Sequence, residues 1–156
     1  ISMKKLTLIF LFITTLATSQ VVSVGFDVSN ALYGSNVNKP SLDIQAKIAS
    51  ITKNREIGLE LEYFKEIEYF SWGLYINNTI KINNFEVVGG IEGIHIIRGN
   101  LSSFGYGFNG ETRYWITDKI GISAQYNIRR RTDLQLLYYD GRFVKSGFLN
   151  LIYKWK

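Results

Sequence analysis

Phe104-Gly105-Tyr106-Gly107-Phe108-Asn109-Gly110-Glu111-Thr112-Arg113-Tyr114-Trp115-Ile116 alternates two kinds of residue with a period of two. Phe104, Tyr106, Phe108, Gly110, Thr112, Tyr114 and Ile116 make one largely apolar and aromatic face. Gly105, Gly107, Asn109, Glu111, Arg113 and Trp115 make the other. Successive side chains of a strand point to opposite faces, so this stretch is a strand with one greasy side. After the short turn Thr117-Asp118-Lys119, Ile120, Ile122, Ala124, Tyr126 and Ile128 alternate with Gly121, Ser123, Gln125, Asn127 and Arg129. The phase survives the turn, which predicts a β-hairpin. Whether its greasy face meets a core or a lipid bilayer decides what the protein is.

The first residues bear on the compartment. Met3 is the expected start, with Ile1-Ser2 upstream of it; Lys4 and Lys5 make a positive segment, Leu6 to Leu16 an apolar one, and Ala17-Thr18-Ser19 supply small residues. This three-part pattern predicts a signal peptide over residues 1–19, and its apolar run is too short to span a bilayer as a helix. The net charge of +5 would fall to about +3 without Lys4 and Lys5, so the basic balance is partly a targeting feature and no argument for nucleic acid. The chain has no cysteine, hence no disulfide framework, no thiolate metal site and no lipidated N-terminal cysteine. Residues 20–156 fit one domain, and the single proline, Pro40, leaves long stretches free to pair.

Eight strands follow from the alternation. The first runs from Val21 to Leu32, with Val22, Val24, Phe26 and Val28 opposite Ser23, Gly25, Asp27 and Ser29. The second sets Leu42, Ile44, Ala46 and Ile48 against Asp43, Gln45, Lys47 and Ala49, and Lys53-Asn54 turns into a third with Ile57, Leu59, Leu61 and Tyr63 opposite Gly58, Glu60 and Glu62. A connection near Lys65-Glu66 leads to Phe70, Trp72, Leu74 and Ile76, and Asn83-Asn84 is the next turn, since asparagine tolerates the positive φ of tight hairpins. The fifth strand starts at Phe85 but loses phase at Ile94, Ile96 and Ile97, which predicts a bulge near Gly93. The hairpin quoted above supplies strands six and seven, and Leu149, Leu151, Tyr153 and Trp155 mark the eighth. Tight connections after strands two, four and six, with longer first and last loops elsewhere, fit short periplasmic turns and longer external loops.

The polar face gives the alternation a direction. A soluble up-and-down barrel points grease inward and covers its outside with lysine, glutamate and threonine. Here the polar face carries Gly25, Gly58, Gly73, Gly90, Gly105, Gly107 and Gly121 with Ser23, Ser29, Ser71 and Ser123. Small residues suit the tight interior of an eight-stranded barrel. Asp27, Asp43, Glu60, Glu62, Glu86, Glu92 and Glu111 share that face with Lys47, Arg113, Arg129 and Lys154, a composition for mutual neutralisation inside a lumen. Tyr63, Phe70, Trp72, Phe104, Tyr106, Tyr114, Tyr126, Tyr153 and Trp155 are expected at strand ends, where membrane barrels carry aromatic girdles. The fold class is therefore all-β, an eight-stranded antiparallel up-and-down transmembrane barrel.

In this architecture, in the stretch from Tyr106 to Arg131 and in its aromatic last strand, the chain resembles the small eight-stranded outer-membrane barrel family typified by the OmpX and OmpA transmembrane domains. The resemblance covers essentially Gln20 to Lys156 and implies an outer-membrane location and folding by the barrel-assembly machinery. It supplies no activity. Trp155 is penultimate and Lys156 follows it, a departure from the aromatic terminus those families commonly show.

Chemistry is sparse. His95 is the only histidine, which argues against a multi-histidine metal cluster. Ser102, Ser103 and Asp133 are candidate companions for a lipid-modifying triad, but geometry defines a triad and the structural role is the favoured one. No catalytic, cofactor-binding or metal residue is assigned. Glu60 and Glu62 are expected to join Arg113 or Arg129 in an interior network. Arg129-Arg130-Arg131 is either a phosphate-binding patch for lipopolysaccharide or, as the alternation favours, a loop base with Arg129 in the lumen. The loop from Arg130 to Arg142, with Leu134, Leu136, Leu137, Tyr138 and Tyr139 and a turn at Asp140-Gly141, is the place for a protein partner, as a projecting β-ribbon or a self-packed one. The leading reading is a non-enzymatic outer-membrane barrel with an envelope-structural or surface-interaction role. The alternatives are an exported soluble barrel binding a small apolar ligand and a lipid-modifying barrel enzyme. Conduction is disfavoured because an eight-stranded lumen is normally filled.

Overall fold

The computed structural model describes residues 20–33, 40–136 and 143–155. The expected signal peptide lies outside them. Eight antiparallel strands close into one barrel in sequence order: β1 (Gln20–Asp27), β2 (Asp43–Thr52), β3 (Arg55–Phe64), β4 (Tyr69–Ile82), β5 (Phe85–Arg98), β6 (Leu101–Trp115), β7 (Ile120–Arg130) and β8 (Phe143–Trp155). β1 pairs β8 from Gln20↔Trp155 to Asp27↔Phe148, so the sheet has no free edge.

The turns expected from sequence form where they were read. Lys53 and Asn83 adopt left-handed φ values of 56° and 53° in two-residue hairpin loops between Thr52↔Arg55 and Ile82↔Phe85. The Thr117 hydroxyl accepts the Ile120 N–H at 2.9 Å and closes the β6–β7 turn. These three turns share one end of the barrel with Gln20 and Trp155, here called the terminal end. The other connections define the loop end.

The strands are staggered. Stepping across the ladder from Val22 leads through Ile48, Leu59, Leu74, Gly93, Tyr106 and Arg130 to Phe143. Val22's own partner on β8 is Tyr153, so closure needs a stagger of ten residues (153 − 143). With roughly 3.3 Å per residue and 4.8 Å between strands, that stagger tilts eight strands by about 40°.

The alternation resolves as grease outward and charge inward. Val24, Ile57, Leu74, Ile91, Phe108 and Leu151 are exposed on the outer wall, while Asp43, Lys47, Glu60, Glu92, Glu111, Arg113 and Arg129 are buried in the lumen. Inward glycines pair across the ladder with large inward side chains, as in Gly58↔Tyr75, Gly73↔Ile94 and Gly121↔Trp115. A Cβ on Gly58 would come within 2.5 Å of the Tyr75 ring and 2.6 Å of the Ile48 carbonyl, so the narrow lumen needs glycine there.

Four expectations need correction. β1 stops at Asp27, not Leu32, because Val28–Tyr33 forms a short helix, α1. Its cause is an N-cap: Asp27 Oδ1 accepts the Asn30 N–H at 2.7 Å. No bulge interrupts β5, whose register is continuous with both β4 and β6. Ile94 and Ile96 keep phase and are buried in the lumen, where they pack with Phe64 and Tyr69. Tyr126 pairs Gly110 and Gly147 well inside β7, not at a strand end. Finally, Thr132–Leu136 is a 3-10 turn, because Arg131 bonds Asp133 and bends the chain inward, so this part of the last loop continues no β-ribbon. Residues 137–142, with the Asp140-Gly141 turn, lie outside the described residues.

Candidate functional site

Two ionic layers fill the lumen. In the lower one, nearer the terminal end, Arg113 on β6 donates to both oxygens of Glu56 on β3, at 2.6 and 3.0 Å, and to Glu111 at 2.9 Å. Glu86 stands 3.9 Å from the same guanidinium. Lys47 on β2 reaches Glu111 at 2.7 Å and the Gln125 side-chain oxygen at 2.6 Å. In the upper layer Arg129 on β7 donates to Glu60 and Glu62 on β3 and to Glu92 on β5. Both arginines thus fasten opposite walls, and the expected Glu60–Glu62 network belongs to Arg129. Glu56, fully buried, was missed: it precedes Ile57 at the start of its strand, where the alternation is only beginning.

Apolar clusters lie above and below these layers. Val21, Trp115 and Ile152, with Ile51 against them, pack near the terminal end; Phe64, Tyr69, Ile94 and Ile96, with Ile67, pack near the loop end. Outside the lower cluster a vestibule of about 400 Å³ is lined by Lys81, Glu86, Trp115, Asp118 and Lys154 among others. Among the described residues, side chains from facing walls meet across the lumen in these layers and clusters.

Beyond β7, Arg131 lies 4.1 Å from the Tyr69 ring centre and forks onto Asp133. Burial alone would disfavour its cation, but the Asp133 bond and charge, with Tyr69, outweigh that and hold its pKa above the ordinary guanidinium range.

The outer wall carries two aromatic rings. Phe85 and Tyr114 meet at 4.9 Å and Tyr153 and Trp155 at 6.3 Å near the terminal end. Tyr63, Phe70, Trp72, Phe104 and Tyr106 are exposed toward the loop end. Phe104 and Tyr114 are ten residues apart on one strand, about 33 Å of chain and about 25 Å of height at the observed tilt. That matches the apolar band of a membrane barrel, about 25 Å tall between its girdles.

The candidate triad does not assemble. His95 is on the outer wall, its Nε2 2.8 Å from Ser102 Oγ and its ring 5.4 Å from Trp72. Among the described residues its Nδ1 has no hydrogen-bond partner. Ser103 is on the opposite face of β6, and Asp133 is held by Arg131, with Arg98 at 3.8 Å. A base without an orienting acid lacks the triad's geometry. The Arg129-Arg130-Arg131 run also divides: Arg129 and Arg131 are buried and paired, and Arg130 alone lies on the outer wall. Among the described residues no group of histidine, cysteine, aspartate or glutamate suits a metal ion, and no helix is long and apolar enough to cross a membrane.

No family model matches the chain, and no curated protein matches it. Solved structures do. The Yersinia pestis outer membrane protein Ail superposes with a TM-score of 0.60 at 11% identity, covering 88% of this chain and 99% of that one. Pseudomonas aeruginosa outer membrane protein H, OprH, gives 0.60 at 13% identity over 88% and 99%. The N-terminal barrel domain of P. aeruginosa OprF gives 0.59 at 11% identity over 88% and 98%. At these identities the likeness is one of fold, and the fold is that of the small eight-stranded outer-membrane barrels.

Proposed function

We propose that the chain is an integral outer-membrane barrel without enzymatic activity, serving envelope structure or surface interaction. The observation that carries this reading is the inversion of its two faces. Leucine, isoleucine and aromatic side chains cover the outside between two aromatic rings, and the charged residues are enclosed. In water that outer wall would be one contiguous apolar surface far larger than soluble monomers expose; in a bilayer it is solvated by acyl chains. A soluble ligand-binding barrel has the reverse arrangement. The fold shared with Ail, OprH and OprF supports the location, and the name of Ail, the attachment invasion locus protein, supports the surface-interaction role.

On this reading residues 1–19 direct export, the barrel-assembly machinery inserts residues 20–156, and the termini face the periplasm. The loop between β7 and β8 is the expected docking point for a protein partner. Fractionation tests the proposal: the protein is expected in the outer membrane, with folded and boiled forms differing in gel mobility. Recovery as a soluble periplasmic protein without detergent would overturn it. For the enzymatic alternative, His95→Ala and deletion of the gene are expected to leave outer-membrane lipids unaltered.

A further inference from the structure

We propose that the vestibule at the terminal end binds a short zwitterionic peptide, its ammonium group at Glu86 and its carboxylate at Lys154. The site follows from the fold; that it opens to the periplasm rests on the outer-membrane reading above. Five of the residues lining this cavity of about 400 Å³ carry the argument: Lys81 on β4, Glu86 on β5, Trp115 on β6, Asp118 in the β6–β7 turn and Lys154 on β8. Backbone bonds tie these elements into one rim. The Trp115 N–H donates to the Asn84 carbonyl at 2.9 Å, and the Lys154 N–H to the Lys119 carbonyl at 2.7 Å. The cavity is therefore preformed, and its volume lies within the range of small-ligand sites.

Glu86 points to the ligand's cation. It is 5% exposed, and among the described residues its Oε2 accepts no hydrogen bond. Arg113 Nη1, at 3.9 Å, is too far to donate and already bonds Glu56. The layer that Glu86 borders holds two cations, Arg113 and Lys47, against three carboxylates, Glu56, Glu111 and Glu86. One enclosed negative charge is in excess, and the cavity is where a cation can approach it. Lys81 is Glu86's cross-strand partner, yet among the described residues no ion pair joins them. Lys154 Nζ instead lies 5.8 Å from the Trp115 ring centre, free to meet a carboxylate. A purely cationic ligand would face Lys81 and Lys154, and a purely anionic one Glu86 and Asp118. A molecule carrying both charges finds a complementary group at each end. Glu86 and Lys154 stand three strands apart, with Trp115 between them in strand order. That spacing suits the two ends of a short peptide better than one amino acid, and the Trp115 ring gives the peptide units a flat floor.

The barrel, isotope-labelled at its tryptophans and held in phosphatidylcholine nanodiscs, is titrated with dialanine while the indole resonances are followed by NMR. Dialanine is expected to shift the Trp115 signal, assigned by Trp115→Phe, saturably and to leave those of Trp72 and Trp155 in place. N-acetyl-dialanine lacks the ammonium and dialanine amide lacks the carboxylate; each should bind about tenfold more weakly, having lost one charge-assisted contact. Glu86→Gln should weaken dialanine about tenfold and leave the acetylated peptide unchanged, and Lys154→Gln should weaken dialanine likewise and leave the amide unchanged. Lys53→Gln, at an exposed turn of the same end, should bind as wild type does. No saturable shift, equal binding of the three peptides, or wild-type affinity in both vestibule variants would each overturn the site. Where a variant fails to fold, the blocked peptides on wild type decide alone. Heat-modifiable mobility in wild type without a Trp115 shift overturns the site and leaves the membrane reading standing. Absence of that mobility overturns the membrane reading, and the same titration of the soluble protein then decides the site.

Discussion

Replacing Arg113 by leucine should unfasten the lower half of the lumen. Arg113 is 1% exposed and its terminal nitrogens serve Glu56 and Glu111 at 2.6 to 3.0 Å. Leucine fills part of the volume but strands two buried carboxylates, one of which, Glu111, keeps Lys47 at 2.7 Å. Among the described residues Glu56 has no other cation within ion-pair distance. Removing one partner of a buried pair costs about 3–5 kcal/mol, chiefly the desolvation of the charge left behind. For a urea dependence of roughly 2 kcal/mol per molar, the unfolding midpoint should fall by about 2 M.

The assay is equilibrium unfolding of the barrel in lipid vesicles, read by tryptophan fluorescence and by heat-modifiable mobility. A second variant, Arg113→Leu with Glu56→Gln, removes the charge that leucine strands and should recover about 1–2 kcal/mol of the loss. If Arg113→Leu unfolds within about 0.5 kcal/mol of wild type, the ionic layer is not what holds the opposite walls, and the reasoning fails.

Ile91, 57% exposed midway down the outer wall, should not tolerate arginine: Ile91→Arg is expected to cost about 2–4 kcal/mol in vesicles, and Phe85→Arg at the terminal-end ring about 0–1. Equal costs at the two depths would argue against a membrane lying between the rings. Gly107→Ala would place a Cβ 2.5 Å from the Ile128 carbonyl and 3.0 Å from Arg129 Cγ, so unfolding titrations should show a loss of about 1–3 kcal/mol; a neutral substitution would show that Arg129 and the β7 backbone can give way. In planar bilayers the wild-type barrel should give no porin-sized conductance, because packed side chains occupy the bore; steady large openings would contradict that.

How far the fold could be read in advance depended on the range of the interactions involved. Alternation is local, so the faces of β4, β6 and β7 and the turns at Lys53 and Asn83 were legible residue by residue. The choice between Arg113 and Arg129 as partner of Glu60 and Glu62 was not. β3 and β7 face each other across the lumen, and which of their residues stand at one height is set by the ten-residue stagger, a property of closure that no single segment encodes. Asp27 was legible as an inward carboxylate but not as a helix cap, since the same residue serves both: its second oxygen accepts the Gly147 N–H of β8 at 2.9 Å. At Ile94 and Ile96 the expected bulge failed because the inner face of a barrel need not be polar throughout. Near its ends, apolar residues serve as packing, and Gly73 and Gly105 make room for Ile94 there.

That last point bears on where such a protein can act. The two lumen arginines are committed, Arg129 to three carboxylates and Arg113 to two at hydrogen-bond distance, so a ligand reaching either layer would have to replace charge-assisted bonds already made. Among the described residues no ion pair lies on the outer wall. Among the described residues Arg130 and Lys145 have no carboxylate within ion-pair distance, and Trp72, Phe104 and Tyr106 are exposed toward the loop end. A barrel fastened through its inside is free to vary its loops and outer rim without losing the fold, because substitutions there break none of the bonds that join opposite walls. Selection for contact with lipid or a partner can therefore act on the rim while the arginine layers keep the scaffold fixed.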